Sequence, residues 1–143
     1  MRLTNHIAFS SSRAVLICPW VNYDRYNLPK SMAKNCKHDI IVSQNIYDYI
    51  VPRSEVMAIV DGKPQYKLIS PIFGSMEGLP KLCVISSNHE ATTDETYELV
   101  EKAKEANVNV THFSLDYLCH VYVLLPFIPE AQRAADVITK FLQ

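Results

Sequence analysis

Several stretches of the chain carry a hydrophobic pattern regular enough to name an element. Arg13-Ala14-Val15-Leu16-Ile17-Cys18-Pro19-Trp20-Val21 is nearly continuous in apolar and β-branched residues, which is the pattern of a strand covered on both faces; Pro19 ends its regular pairing. Leu82 to Ile85 is a second such run, and Val108 to Phe113 a third. Between them, Tyr97, Leu99, Val100 and Ala103 recur at helical spacing opposite Glu98, Glu101, Lys102 and Lys104. This predicts an amphipathic helix capped by Thr93 or Asp94, running to about Ala106 and stopped by Asn107. A last helix is expected from about Pro129 to Leu142, with Pro129 in a helix-starting position and Ala134, Ala135, Val137, Ile138, Phe141 and Leu142 on its packing face.

The intervening chain is less regular. Asn22 to about Lys37 is polar, with turn signals at Asn27, Pro29 and Asn35. Ile40, Ile41, Gln44, Ile46, Tyr47, Ile50 and Val51 recur at roughly helical spacing before Pro52, which predicts a helix ending there. Ser54 to Tyr66 fits a strand or a helical turn, interrupted by the turn Asp61-Gly62-Lys63-Pro64. Taken in order, the elements predict a parallel α/β arrangement: about three parallel strands flanked by helices, with right-handed crossovers.

At 143 residues and 48% hydrophobic, the chain has the length and apolar content of one globular domain. A net charge of -1, with no basic stripe, offers no footprint for nucleic acid, and no apolar run reaches the length of a membrane span. Met1 to His6 lacks the apolar core of a signal peptide. Cys18, Cys36, Cys83 and Cys119 form no CxxC pair, so reduced, buried thiols in a cytoplasmic compartment are expected.

The chemistry concentrates after the second and third strands. Glu90 lies in Ser86-Ser87-Asn88-His89-Glu90-Ala91-Thr92-Thr93-Asp94-Glu95, just past a strand's carboxyl end, and His120 follows the third strand in Leu118-Cys119-His120-Val121-Tyr122. Strand ends of this kind carry the working residues of open α/β sheets. A carboxylate followed by a histidine matches the second and third members of a nucleophile, acid and base triad in the chain order of α/β-hydrolases. No cofactor or metal is implied, since His6, His38, His89 and His112 lack ligand spacing and read as surface or hydrogen-bonded residues.

From Arg13 to Gln143 these residues together resemble the C-terminal half of the hormone-sensitive-lipase-like, or fold-3, esterases. Ser70-Pro71 followed by Gly78-Leu79-Pro80 is similar to that family's SP…GLP lead-in. Asn88 to Glu95 stands where the family writes a sequence of the kind E-x-D-P-L-x-D-E, and Glu105-Ala106-Asn107-Val108 where it writes x-A-G-V. Leu118-Cys119-His120-Val121 resembles the histidine loop, and Pro129 to Leu142 the closing helix. The resemblance implies a partial α/β-hydrolase fold over residues 1–143, with Glu90 as the triad's acid, His120 as its base, and a short- to medium-chain carboxylic ester as substrate.

The departures shape the expected function. Position 90 holds Glu where many relatives have Asp, Ala91-Thr92 replaces Pro-Leu, and Asn107 replaces a helix-ending Gly. The chain has only three glycines, Gly62, Gly74 and Gly78, so neither the G-x-S-x-G nucleophile elbow nor the His-Gly-Gly oxyanion motif is present. In the family both precede the strand that begins at Arg13, so this chain corresponds to the domain without its nucleophile-elbow half. A histidine and a carboxylate can orient and accept a proton, but loss of one oxyanion donor alone costs about 100- to 1000-fold in rate. Little activity is therefore expected from the chain alone. The strand at Arg13 should be an open sheet edge, inviting self-association or docking of an N-terminal half.

Two further readings stand beside an incomplete esterase. One is a non-catalytic remnant acting as a binding or interaction module. The other is a self-sufficient hydrolase using Ser70, Ser86 or Ser87, against which stand the closeness of Ser86 and Ser87 to Glu90 and the lack of glycine flanks. Cys119 as a thiol nucleophile and Asp116 as a competitor for the imidazole are weaker alternatives. Trp20, Tyr23, Tyr26, Tyr47 and Tyr49 could line a substrate pocket or pack in the core.

Overall fold

The structure is a computed structural model that describes residues 12–24, 29–56 and 59–143. His6, Tyr26, Asn27 and the amino-terminal segment lie outside the described residues. Strand β1 (Arg13–Ile17) leads to helix α1 (Lys30–Asn35) and helix α2 (Gln44–Val56). A two-stranded ribbon of β2 (Ile59–Val60) and β3 (Lys63–Pro64) follows, closed by Asp61 and Gly62, both at positive φ. Then come α3 (Tyr66–Ile69), β4 (Lys81–Ser87), α4 (Thr93–Glu105), β5 (Val110–Leu115) and α5 (Pro129–Leu142).

The main sheet has the order β1-β4-β5 and is parallel throughout, with Ile17 beside Ile85 and Ser87 beside Leu115. Side chains alternate across a strand, so central β4 feeds two cores. Leu82 and Val84 pack with Leu99, Val100 and Ala103 of α4 and with Ile72 and Val108. Cys83 and Ile85 pack on the opposite face with Tyr122, Ala134 and the half-buried Phe113, Val137, Ile138 and Phe141. Asn107, at φ 62°, ends α4 in a left-handed conformation that Asn adopts more readily than most residues.

The structure departs from the expected elements at identifiable places. β1 stops at Ile17, and its five residues are half-buried rather than fully covered, because β4 alone flanks it among the described residues. Cys18, at φ 46°, turns the chain out of the strand. The polar stretch before Lys37 contains α1, which buries Ser31, Met32 and Asn35. The predicted helix starts later, at Gln44, and passes through Pro52 to Val56. Ile40 and Ile41 lie ahead of it and are exposed, held in a turn where Asp39 Oδ1 accepts the Ile41 and Val42 N–H groups at 3.0 and 3.1 Å. Tyr97, expected inward, is 41% exposed; its hydroxyl donates to Asn88 Oδ1 and its ring lies edge-on to His112. Thr93 and Asp94 stand in the first turn of α4, with Thr92 at the cap making no side-chain capping bond.

Candidate active site

Because β4 and β5 are parallel neighbours in register, their carboxyl ends release two loops side by side: 88–92 carries Glu90 and 116–121 carries His120. Glu90 is fully buried. Its Oε1 accepts the Ser87 N–H at 2.9 Å, and its Oε2 lies 2.8 Å from His120 Nδ1. A carboxylate accepts, so Nδ1 carries the proton and Nε2 is left as the basic nitrogen. Thr92 Oγ1 stands 3.5 Å from the same Nδ1. The loop holding Glu90 is fixed through its main chain, for the Glu90 carbonyl accepts from Asn35 Nδ2 at 2.9 Å and from Thr93 Oγ1 at 2.7 Å.

A buried polar cluster surrounds this pair. The Cys18 thiol, just past the end of β1, lies within 4.8 Å of a Glu90 carboxylate oxygen; burial first, then the negative charge of Glu90, pushes it far above the ordinary thiol range. Tyr122 is fully buried with no hydrogen-bond partner for its hydroxyl, and burial first, with the negative charge of Glu90 adding, raises its phenol. Glu95 is buried on α4, its Oε2 accepting the Val21 and Asn22 N–H groups at 3.2 and 2.6 Å while Oε1 is unpartnered. Desolvation raises its carboxyl to about 8 against those two donors, with Glu90 and Glu98 adding to the rise. Cys18, Glu90 and His120 bring ligand-type atoms within 4.8 Å of one another. The set suits a divalent cation in type and number, but a cation there would displace the Glu90–His120 hydrogen bond.

The other sequence candidates are engaged elsewhere. Ser86 Oγ lies 2.8 Å from His112 Nε2, Ser87 Oγ accepts from the His89 and Leu118 N–H groups, and Ser70 Oγ accepts from the Tyr23 N–H. All three serines are buried. Asp116 bonds Asn88 Nδ2 at 2.7 Å and makes no bond to the imidazole. Cys119 is half-buried, and burial raises its thiol. His112, expected at the surface or hydrogen-bonded, is half-buried with its imidazole lowered chiefly by desolvation, and exposed His89 stacks on Tyr117 at 4.1 Å. Trp20 stacks on Tyr23 and Tyr47 with centroids 5.4 and 6.3 Å apart, while Tyr49 is exposed. A cavity of about 560 Å³ opens beside the His120 loop, lined in part by His38, Ile40, His89, Tyr117, Cys119 and Tyr122.

Asp39, Cys18, Glu95 and Tyr122 were not legible as site residues. The spacing from Asp39 to Ile41 is that of an Asx-turn, a local signal for part of what Asp39 does, but its partners at Ala91 and His120 are 52 and 81 residues away.

A sequence model of the family described as "alpha/beta hydrolase fold" matches residues 2–124. An esterase of Acinetobacter venetianus is 27% identical over 143 residues, covering 99% of this chain and 45% of the relative. An acetyl-hydrolase of Streptomyces hygroscopicus is 32% identical over 81 residues, 56% of this chain and 27% of the relative. Among solved structures, an esterase from the bacterial hormone-sensitive lipase family superposes with a TM-score of 0.77 at 26% identity, over 92% of this chain and 42% of that one. A mutant of the esterase E40 gives 0.76 at 26% identity over the same shares. The chain thus spans less than half the length of the curated relatives it matches. With its parallel three-stranded sheet and paired carboxyl-end loops, this chain belongs to the α/β-hydrolase fold family and is a hormone-sensitive-lipase-like segment of it.

Proposed function

We propose that the chain supplies the acid and base of a carboxylic ester hydrolase, Glu90 and His120, and depends on polypeptide outside these residues for its nucleophile and oxyanion donors. The supporting observation is the 2.8 Å bond from His120 Nδ1 to Glu90 Oε2, with Oε1 held by the Ser87 N–H. That geometry fixes the tautomer in which Nε2 can take a proton from a serine hydroxyl and later return it to the leaving alcohol, while Glu90 stabilises the imidazolium formed between those steps. Residues 1–143 are, on this reading, the part of the domain that follows the nucleophile elbow. The four free cysteines, three of them buried, agree with a reducing, cytoplasmic setting.

A second reading rests on the flank of β1. There an apolar cavity of about 520 Å³ is lined in part by Leu16, Val21, Met76, Leu79, Leu82 and Leu99. The strand edge and this surface suit docking of polypeptide outside these residues or of a second copy, with or without catalysis. The test is hydrolysis of a short p-nitrophenyl ester by the purified chain, alone and mixed with the amino-terminal portion of the Acinetobacter venetianus esterase. Activity only in the mixture, reduced about 10⁴-fold or more by His120→Ala, is expected. Binding without hydrolysis favours the interaction module. Hydrolysis by the chain alone that survives His120→Ala overturns both.

A further inference from the structure

Asp39 is buried, at 3% exposure, in the connection between α1 and α2. Its carboxylate accepts from four main-chain N–H groups. Oδ1 takes Ile41 at 3.0 Å and Val42 at 3.1 Å within its own turn. Oδ2 takes Ala91 at 3.1 Å, the residue directly after Glu90, and the His120 N–H lies 3.2 Å from both oxygens. One side chain from a third segment therefore holds the two loops whose side chains meet at 2.8 Å. A desolvated carboxylate needs such donors, and charge-assisted bonds of this kind are roughly twice as strong as neutral ones. Asn35 and Thr93 hold the Glu90 carbonyl, and Ser87 Oγ also bridges the loops through the His89 and Leu118 N–H groups; Asp39 differs in bonding at the pair itself, to the His120 N–H and to the Ala91 N–H next to Glu90.

We propose that Asp39 is a positioning residue that sets the distance between Glu90 and His120 by clamping the Ala91 and His120 amides together. The proposal deepens the reading of Glu90 and His120 as an acid–base pair and rests on it. It also gives the segment between β1 and β4 a role in the site: this stretch carries the carboxylate that registers one loop against the other.

The test uses the whole chain with ¹⁵N-labelled histidine and reads the His120 imidazole tautomer by long-range ¹H–¹⁵N correlation, with circular dichroism as the fold check. In the native chain His120 is expected as the Nδ1–H form with a slowly exchanging, downfield Nδ1 proton. Glu90→Ala should remove that proton signal; if it persists, the Glu90–His120 pair itself is refuted. Asp39→Asn keeps the shape but places an amide group against N–H donors. It should raise the Nε2–H form of His120 roughly fivefold, the equivalent of losing one ordinary hydrogen bond, with secondary structure intact. A folded Asp39→Asn chain with an unchanged His120 tautomer, beside an altered Glu90→Ala chain, overturns the role of Asp39 alone. Should Asp39→Asn not fold, amide exchange in the native chain decides. Ala91 and His120 amides opening together supports the clamp, and rates differing by more than about tenfold refute it.

Discussion

The carboxyl end of the sheet and the flank of β1 are built on opposite principles. At the carboxyl end, the two central carboxylates are matched to donors: Glu90 and Asp39 together accept from Ser87, His120, Ile41, Val42 and Ala91, while Glu95 Oε1 and the Tyr122 hydroxyl around them have no partner. Along β1 the material is apolar, half-buried and open to a cavity of about 520 Å³. Hydrogen bonds are directional and lose their value when one partner is displaced, so the first region depends on a set geometry. Apolar burial is non-directional, so the second can accept a covering surface without a prearranged geometry. One end of the molecule is a site set by directional bonds, the other a surface suited to being covered.

The largest effect expected on this contrast comes from the polar end. Glu90→Ala leaves the Ser87 N–H and His120 Nδ1 without their acceptor in a fully buried place and should cost about 3 kcal/mol in urea unfolding. Next is pH. Burial raises the Glu95 carboxyl from 4.5 to about 8 in the folded chain, so the folded state binds this proton more tightly than the unfolded state. Its contribution is fully present below pH 4.5 and is lost as pH rises toward 8, by up to about 1.4 kcal/mol per pH unit. Glu95→Gln should flatten that slope in urea midpoints measured across the range.

At the apolar flank the effect moves from stability to association. Leu16 is half-buried against the α4-side core and lines the open cavity. If the proposed covering of this flank by a second copy or another segment takes place, Leu16→Lys should weaken it in sedimentation, with its positive charge placed where an apolar partner would sit. An association unchanged by this substitution would place the contact elsewhere. The smallest effect belongs at the exposed border of the polar end: Tyr97→Phe removes one hydroxyl bond to Asn88 and should cost about 0.5 kcal/mol by the same unfolding measurement.

Sequence was most informative where one face of an element meets a core. The runs around Leu82 to Ile85, Leu99 to Ala103 and Pro129 to Leu142 became β4, α4 and α5 because their periodicity and their packing agree. The positions of Glu90 and His120 at two strand ends were legible from the order of elements, and the structure brings them together. Helix α1 was hidden because it is held partly by polar bonds, such as Ser31 N–H to Asp94 Oδ2 at 2.8 Å, which leave no hydrophobic period. Asp39 was hidden for the same reason, as its partners are main-chain amides and any residue supplies one. Tyr97 read as core because an aromatic ring at helical spacing looks apolar, whereas its hydroxyl finds Asn88 at the border of the helix.

Val121, the residue directly after His120, sits at φ 50° and ψ 30°. A β-branched side chain is at a disadvantage in that region by about 1 kcal/mol or more, and glycine would be at ease there. The difference lies in what each would permit. Glycine would let the chain pivot at this point and give the imidazole an arc of positions, whereas valine, once the surrounding contacts have forced it into place, has few neighbouring conformations to visit. The strained residue therefore works as a ratchet: costly to engage during folding, and a narrow limit on where the histidine can go afterward.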